Sequence, residues 1–320
     1  MTVRAAWLAI AMSGLVASGA GVRPGHAEGT GPAIQQRPAD TFEYQYRIVG
    51  KVRLLFFWVG NNDVGSARVT RTDDGGAGHT IALLIGSDPA RAPRGINEWG
   101  YVREQVRGGS ADIFGVRSLT DADSPEQADA ITSDPSSAAR FAAICSAVTP
   151  EQASASVTSV RVDRDVTYHQ FARLLDGVEA STDWAHHHVG LPSGTQPGFL
   201  TALQSLLSKD GGRATYVYKE AIYDLSRLSV KRVSPDLARA EYLIRKRGSQ
   251  EDTEFTMTYG LKGDLSGVPV QATFQPNWWF KVELHLDAPL DLPDEPSKNV
   301  RTANRIDDIC GRALAGARAH

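Results

Sequence analysis

The stretch 134-DPSSAARFAAICSAV-148 lies between two strand-rich thirds of the chain, and the fold class turns on how it is read. Asp134 followed by Pro135 has the form of a helix N-cap with proline at the first helical position. Phe141, Ile144, Cys145 and Val148 then recur at the three- and four-residue spacing of one helix face. This predicts an amphipathic helix. Two more follow the same logic. Thr167 and Gln170 have the spacing of a capping box, with Tyr168, Phe171, Leu174, Leu175 and Val178 forming an apolar stripe behind them. Pro197 opens another helix that carries Phe199, Leu200, Leu203, Leu206 and Leu207 inward and stops at Gly211-Gly212. Apart from a strand near Val157 to Val162, residues 121–212 therefore read as a helical middle.

Outward from this middle the period changes to two. In the first block, 41–120, Phe42, Tyr44, Tyr46 and Ile48 alternate with Glu43, Gln45 and Arg47, which is a half-buried strand. A second apolar run, Val52 to Val59, ends at Gly60-Asn61-Asn62-Asp63, where Asn and Asp tolerate positive φ and predict a hairpin turn into Val64 to Arg71. Strands follow at His79 to Gly86, Trp99 to Val106 and Ile113 to Leu119. In the last block, 213–288, Tyr216 and Tyr218, Ala238 to Arg247, Glu254 to Tyr259, Val268 to Phe274 and Trp278 to Leu286 read as extended. Alternation gives each strand one dry and one wet face, so the pairing is antiparallel. A Pro-rich connector leads to a terminal helix at 299–317 with Ile306, Cys310, Ala313 and Leu314 on one stripe. The predicted fold is α+β, a single large domain over 41–320. In it, antiparallel strands from both ends of the chain form a curved sheet or open half-barrel packed on central amphipathic helices.

Residues 1–27 read as a cleaved secretory signal. Arg4 precedes an uncharged run from Ala5 to Gly21, and Gly25-His26-Ala27 places small residues where a signal peptidase reads; a cut after Ala20 fits the same rule. No cysteine lies near the junction, so no lipid-modified N-terminus is expected, and no later apolar run is long enough to span a bilayer. Residues 28–40 form a polar leader. The expected location is the periplasm or the extracellular space. Removing 1–27 takes away Arg4 and Arg23 and no acid, which moves the formal net charge from −3 to −5. An acidic balance, with pI near 6.2, gives no electrostatic footprint for nucleic acid. Hydrophobic residues at 42% and charged residues at 22% exclude a disordered or collagen-like chain. Arg outnumbers Lys 26 to 8, which a GC-rich bacterial genome explains without phosphate recognition.

The chain has two cysteines, Cys145 and Cys310. In an oxidising compartment they are expected to pair, clamping the terminal helix onto the middle of the chain. His186, His187 and His188 are consecutive, so only His186 and His188 share a side, and only if the segment is extended. With His169 and Asp165 they are the candidate zinc ligands, although no His-Glu-x-x-His motif is present. The alternative is a polar loop between helices. Asp121, Asp123, Glu126, Asp129 and Asp134 are spaced too loosely for a cation site and read as a solvated loop. Trp278 and Phe280 point to one side of a strand and Trp279 to the other; with Trp99 and Trp184 these are the candidate contacts for an apolar ligand. There is no nucleophile elbow, phosphate-binding loop or dinucleotide-binding motif. The leading functional expectation is a non-catalytic binding or envelope-maintenance protein with an apolar or lipid-like ligand and no cofactor. A secreted hydrolase or metal-dependent enzyme using His186 to His188, and a protein-interaction module, are the alternatives.

Overall fold

A computed structural model describes residues 40–54, 57–73, 78–92, 97–119, 139–208, 212–250, 252–277, 280–287 and 296–317. The expected signal at 1–27, the leader apart from Asp40, the acidic cluster, Asp134-Pro135, Trp278 and Trp279 lie outside them. In chain order the strands and helices are β1 (Asp40–Leu54), β2 (Phe57–Asp73), β3 (Gly78–Ser87), β4 (Trp99–Arg107), β5 (Ser110–Ser118), β6 (Ala139–Val148), β7 (Gln152–Val162), α1 (Phe171–Glu179), β8 (Ala185–Gly190), α2 (Phe199–Ser208), β9 (Arg213–Tyr218), β10 (Ala221–Ser234), β11 (Leu237–Lys246), β12 (Asp252–Gly260), β13 (Pro269–Asn277), β14 (Phe280–Leu286) and α3 (Val300–Ala317).

The α+β expectation is overturned. The described residues form one 14-stranded antiparallel sheet in the order β8-β7-β6-β5-β4-β3-β2-β1-β14-β13-β12-β11-β10-β9, and helices are a minority added to it. Each strand pairs with its neighbours in sequence, except that β8 and β9 form the two edges and β1 pairs with β14. Most of the expected helical middle is strand. The residues read as a helix at 141–148 are β6, in which Phe141 to Ser146 are all buried. Phe141, Ala143 and Cys145 face one core, while Ile144 and Val148 face the other way. With both faces covered, the strand loses its alternation, and three- and four-residue spacings arise without a helix. The expected hairpin turn at 60–63 is also corrected. Gly60 to Asp63 lie within β2, opposite a register break between Ile48 and Gly50, so the positive φ of Asp63 serves a bulge and the strand continues.

β1 and β14 are 240 residues apart at the pair Tyr46 and Leu286, and the register continues through Ile48 with Leu284 to Val52 with Phe280. On the inner face Tyr46, Ile48, Val282 and Leu284 are buried, and the Tyr46 hydroxyl donates to the Pro269 carbonyl at 3.1 Å. The outer face of the same seam is ionic. Lys51 lies 2.7 Å and Lys281 3.0 Å from one carboxylate oxygen of Glu283, and His285 lies 3.4 Å from the other. Burial alone would push the Glu283 carboxyl up. The hydrogen bonds and charges of Lys51 and Lys281 outweigh it and hold the group at about 2.

Two cores lie on opposite faces of the sheet. The inner one gathers Tyr46, Val69, Leu83, Leu225, Tyr242, Phe255 and Phe274 around α2. Phe199, Leu200, Ala202, Leu203 and Leu206 of α2 are all buried, as expected of a helix enclosed on most sides. The outer core sandwiches Leu84, Trp99, Tyr101, Phe114 and Phe141 beneath α1 and α3. The capping box at Thr167 and Gln170 forms as expected, and Phe171, Leu174, Leu175 and Val178 of α1 are buried. Cys145 and Cys310 are bonded, with Cα atoms 5.2 Å apart, and tie α3 to β6.

Two predictions follow from this architecture. The Glu283 carboxyl is lowered on folding, so its stabilisation is present above the ordinary carboxyl range and is lost as pH falls toward 2. In acid denaturation the wild type is expected to lose about 2 to 3 kcal/mol between pH 5 and 2 that Glu283→Gln does not lose. Separately, the disulfide spans 165 residues of sequence, and the chain-entropy relation gives about 5 kcal/mol as an upper bound. Cys310→Ser is expected to lower the denaturant-derived unfolding free energy by about 2 to 5 kcal/mol, with α3 losing amide protection first.

Candidate functional site

The sheet curls far enough for β9 to lie against the inner face of its other end. Val217 packs on Val148 and Ala153, with Ile113, Val189 and Leu191 beside them. His187 Nδ1 is 3.2 Å from Glu220 in the β9–β10 turn, and the Gln196 amide donates to the Thr215 carbonyl at 2.7 Å. These contacts close the gap between the two edges. They leave a cavity of about 120 Å³ between α2, β9 and the inner faces of β3 to β7. Ile85, Val102, Ile113, Ile144, Val157 and Phe199 are among its apolar lining.

Besides Ser87, Glu98 and Ser118 at its border, two sets of polar groups enter it. Glu104 of β4 is 2% exposed and holds the N-terminus of α2. Its carboxylate accepts the Leu200 amide at 2.8 Å, the Thr201 amide at 2.9 Å and the Thr201 hydroxyl at 2.7 Å. A negative group here satisfies amides that a helix start leaves unpaired and complements the helix dipole. Burial pushes the carboxyl up, while the hydrogen bonds from Thr201, Leu200 and Phe199 oppose that shift. Gly198 makes the approach feasible, since a Cβ there would come within 2.3 Å of a Glu104 oxygen.

The second set is cationic. Arg117 of β5 and Lys219 of the β9–β10 turn both line the cavity, with Tyr218 beside them. Arg117 donates to the Tyr218 hydroxyl, and the Lys219 ammonium lies 5.7 Å from the Tyr218 ring centroid. The Lys219 pKa is lowered, first by burial and then by the Arg117 charge. Burial also pushes the Tyr218 phenol up, as it does Tyr216.

Comparison with protein-family models, with curated proteins and with solved structures gives no match to this chain. The site is therefore read from its geometry.

The residues singled out from sequence fall mostly elsewhere. Trp99 borders the cavity, but its ring is packed by Phe141 at 4.7 Å and Phe171 at 6.2 Å, and its indole donates to the Val166 carbonyl. Trp184 donates to the Ser181 carbonyl and packs on the outer core. Phe280 starts β14, opposite Val52. His186 and His188 lie on the extended β8 and face one side, but each commits its Nδ1 to a serine: Ser156 at 2.9 Å and Ser154 at 2.9 Å. Ser156 itself donates to the Ala313 carbonyl, so His186 Nδ1 is the donor to Ser156 and does not act as its base. His169 stacks on Tyr168, and Asp165 pairs with Arg173 at 3.4 Å. Among the described residues no group of three or more His, Cys, Asp or Glu converges for a metal. The sequence reading passed over Glu104, Arg117 and Lys219. One signal was available: Arg103 and Glu104 are adjacent charges in an apolar strand, so one of them must face inward.

The clamp between Glu104 and Gly198 predicts strong coupling. Gly198→Ala is expected to cost about 2 kcal/mol or more in the wild type, from steric strain against the carboxylate, and clearly less in a Glu104→Ala background, where the methyl has room. A double-mutant cycle read by urea unfolding checks this; additive effects would dismiss the clamp.

Proposed function

We propose that this chain is an exported, non-catalytic binding protein whose ligand is apolar and occupies the cavity inside the rolled sheet. The observation that carries this reading is the mostly apolar cavity itself, roofed by α2 and entered by a few polar side chains. Ligand sites of this kind are concave and mostly apolar, with a few placed polar atoms. A cavity of this volume is close to engineered apolar cavities of about 150 Å³ that stay dry and take up benzene. The disulfide between Cys145 and Cys310 and the expected secretory leader support export. Among the described residues no helix is long and apolar enough to cross a membrane.

The test is a filling substitution. Val102 faces the cavity from β4, and Val102→Phe adds bulk there. The purified wild type is expected to bind a small apolar probe of about benzene size and to release apolar material on extraction with organic solvent. Val102→Phe is expected to bind the probe at least about tenfold more weakly while keeping a cooperative unfolding transition. A wild type that binds no apolar probe and releases nothing on extraction would end this reading.

A further inference from the structure

We propose that the protruding edge of β10 docks on an anionic lipid surface, with Leu228, Val230 and Val233 entering the headgroup region and Lys231, Arg232 and Arg239 set against the lipid phosphates.

β10 outruns its neighbour. Its ladder with β9 ends at Ser226 opposite Arg213, and the Arg227 amide still donates to the Gly212 carbonyl at 2.7 Å. Past that point β11 is its only strand partner among the described residues, so 228–233 form a free margin of the sheet. Six large apolar side chains among the described residues are exposed, and three of them fall within this margin: Leu228 at 54%, Val230 at 52% and Val233 at 50%. Singly such residues need no explanation, but three in one short stretch make a patch of the kind that meets a partner. The exposed Leu265 extends it, because the 261–266 turn is tied to the β10–β11 turn by the Leu261 amide, which donates to the Asp236 carbonyl at 2.8 Å.

Charge then selects the partner. Lys231 stands directly opposite Arg239 of β11, a like-charged pair that destabilises the ladder. Arg232 pairs with Ala238 and donates to the Pro235 carbonyl at 2.7 Å. Among the described residues none of these three bases has a carboxylate within ion-pair distance. The acids at this end are engaged elsewhere: Glu241 accepts from the Ser229 hydroxyl at 2.9 Å, Asp236 lies 3.6 Å from Lys262, and Asp264 acts on Tyr44 of β1. From Arg227 to Glu241 the hairpin carries four bases and two acids, in a chain whose formal net charge is −3. Long basic side chains bend along an edge and bring their charge to the plane that the aliphatic groups enter. Binding at a bilayer interface grows with buried apolar area and with attraction of bases to anionic lipid, and this margin offers both.

A strand partner fits less well. Register breaks between Arg227 and Ser229 and between Arg232 and Ser234 leave only Ser229 to Arg232 as regular ladder, short of the usual strand of about five or six residues. A second copy paired there would also bring Lys231 and Arg232 of both copies together. A lipid surface imposes no register. The margin shares no residue with the cavity lining, so this docking stands independently of the ligand.

Co-sedimentation of the full chain with vesicles tests it, using phosphatidylcholine alone and an equal mixture of phosphatidylcholine and phosphatidylglycerol. The wild type is expected to bind the mixed vesicles at least about tenfold more tightly than the neutral ones, and less tightly as salt is raised. Lys231→Gln combined with Arg239→Gln is expected to lower binding to the mixed vesicles about tenfold. Leu228→Ser combined with Val230→Ser is expected to lower it by about the same factor. All four positions are exposed, so both variants are expected to keep the wild-type unfolding midpoint, which separates lost docking from lost fold. A wild type that ignores the mixed vesicles or binds both kinds equally, or variants that bind as the wild type does, would overturn the docking. So would a wild-type dimer on gel filtration that Leu228→Ser with Val230→Ser dissolves while vesicles go unbound, since the edge would then serve a second copy.

Discussion

The pairing of β1 with β14 is the constraint on which the rest of the structure depends. Without it the chain would make two meanders, β1 to β8 and β9 to β14, each with two open edges. With it there is one continuous sheet whose free edges, β8 and β9, are consecutive in sequence. Strand twist accumulates over many strands, and an open sheet this wide curls or splits. Here it curls, because α2 sits between the two edges and offers both halves of the sheet something apolar to close around. The seam is also costly in chain entropy, since it joins residues at opposite ends of the domain. Its inner face of Tyr46, Ile48, Val282 and Leu284 and its outer network around Glu283 offset that cost from both sides.

Strands were legible where only one face is buried. In β11, Ala238, Ala240, Tyr242 and Ile244 are buried between more exposed neighbours, and the period of two is plain. In β6 both faces are buried, by α3 and the disulfide outside and by β9 inside, and the period vanishes. β10 escaped notice for the opposite reason: beyond Arg227 it outruns β9, and Leu228, Val230 and Val233 stand exposed beside Lys231 and Arg232. The cysteine pairing was legible despite the wrong element for Cys145, because it rests on redox compartment and number rather than on secondary structure. The site was not legible. Lys219 joins Glu104 and Arg117 on one cavity only after the roll closes, and a charge in a strand looks the same on paper whether it faces water or a cavity.

The exposed half of β10 shows how an edge is tolerated. Beyond Arg227, whose amide donates to the Gly212 carbonyl, no described residue pairs with its backbone on the β9 side, and bare edges invite pairing with other chains. Register breaks at Arg227 to Ser229 and at Arg232 to Ser234 twist it, and Lys231 and Arg232 place charge along it. At the other edge, β8 is short, and its histidines are bonded inward to Ser154 and Ser156. At this edge the imidazoles of His186 and His188 help to hold a short last strand on the sheet.

The interior places its two charged sets to different ends. Glu104 meets a helix start with several donors converging on it, which fixes α2 in position. Arg117 and Lys219 repel one another, and Lys219 adopts a backbone region usually left to glycine. The acid that fixes α2 and the basic residues beside Tyr218 thus enter one apolar cavity from different elements, β4 for the first and β5 with the β9–β10 turn for the second.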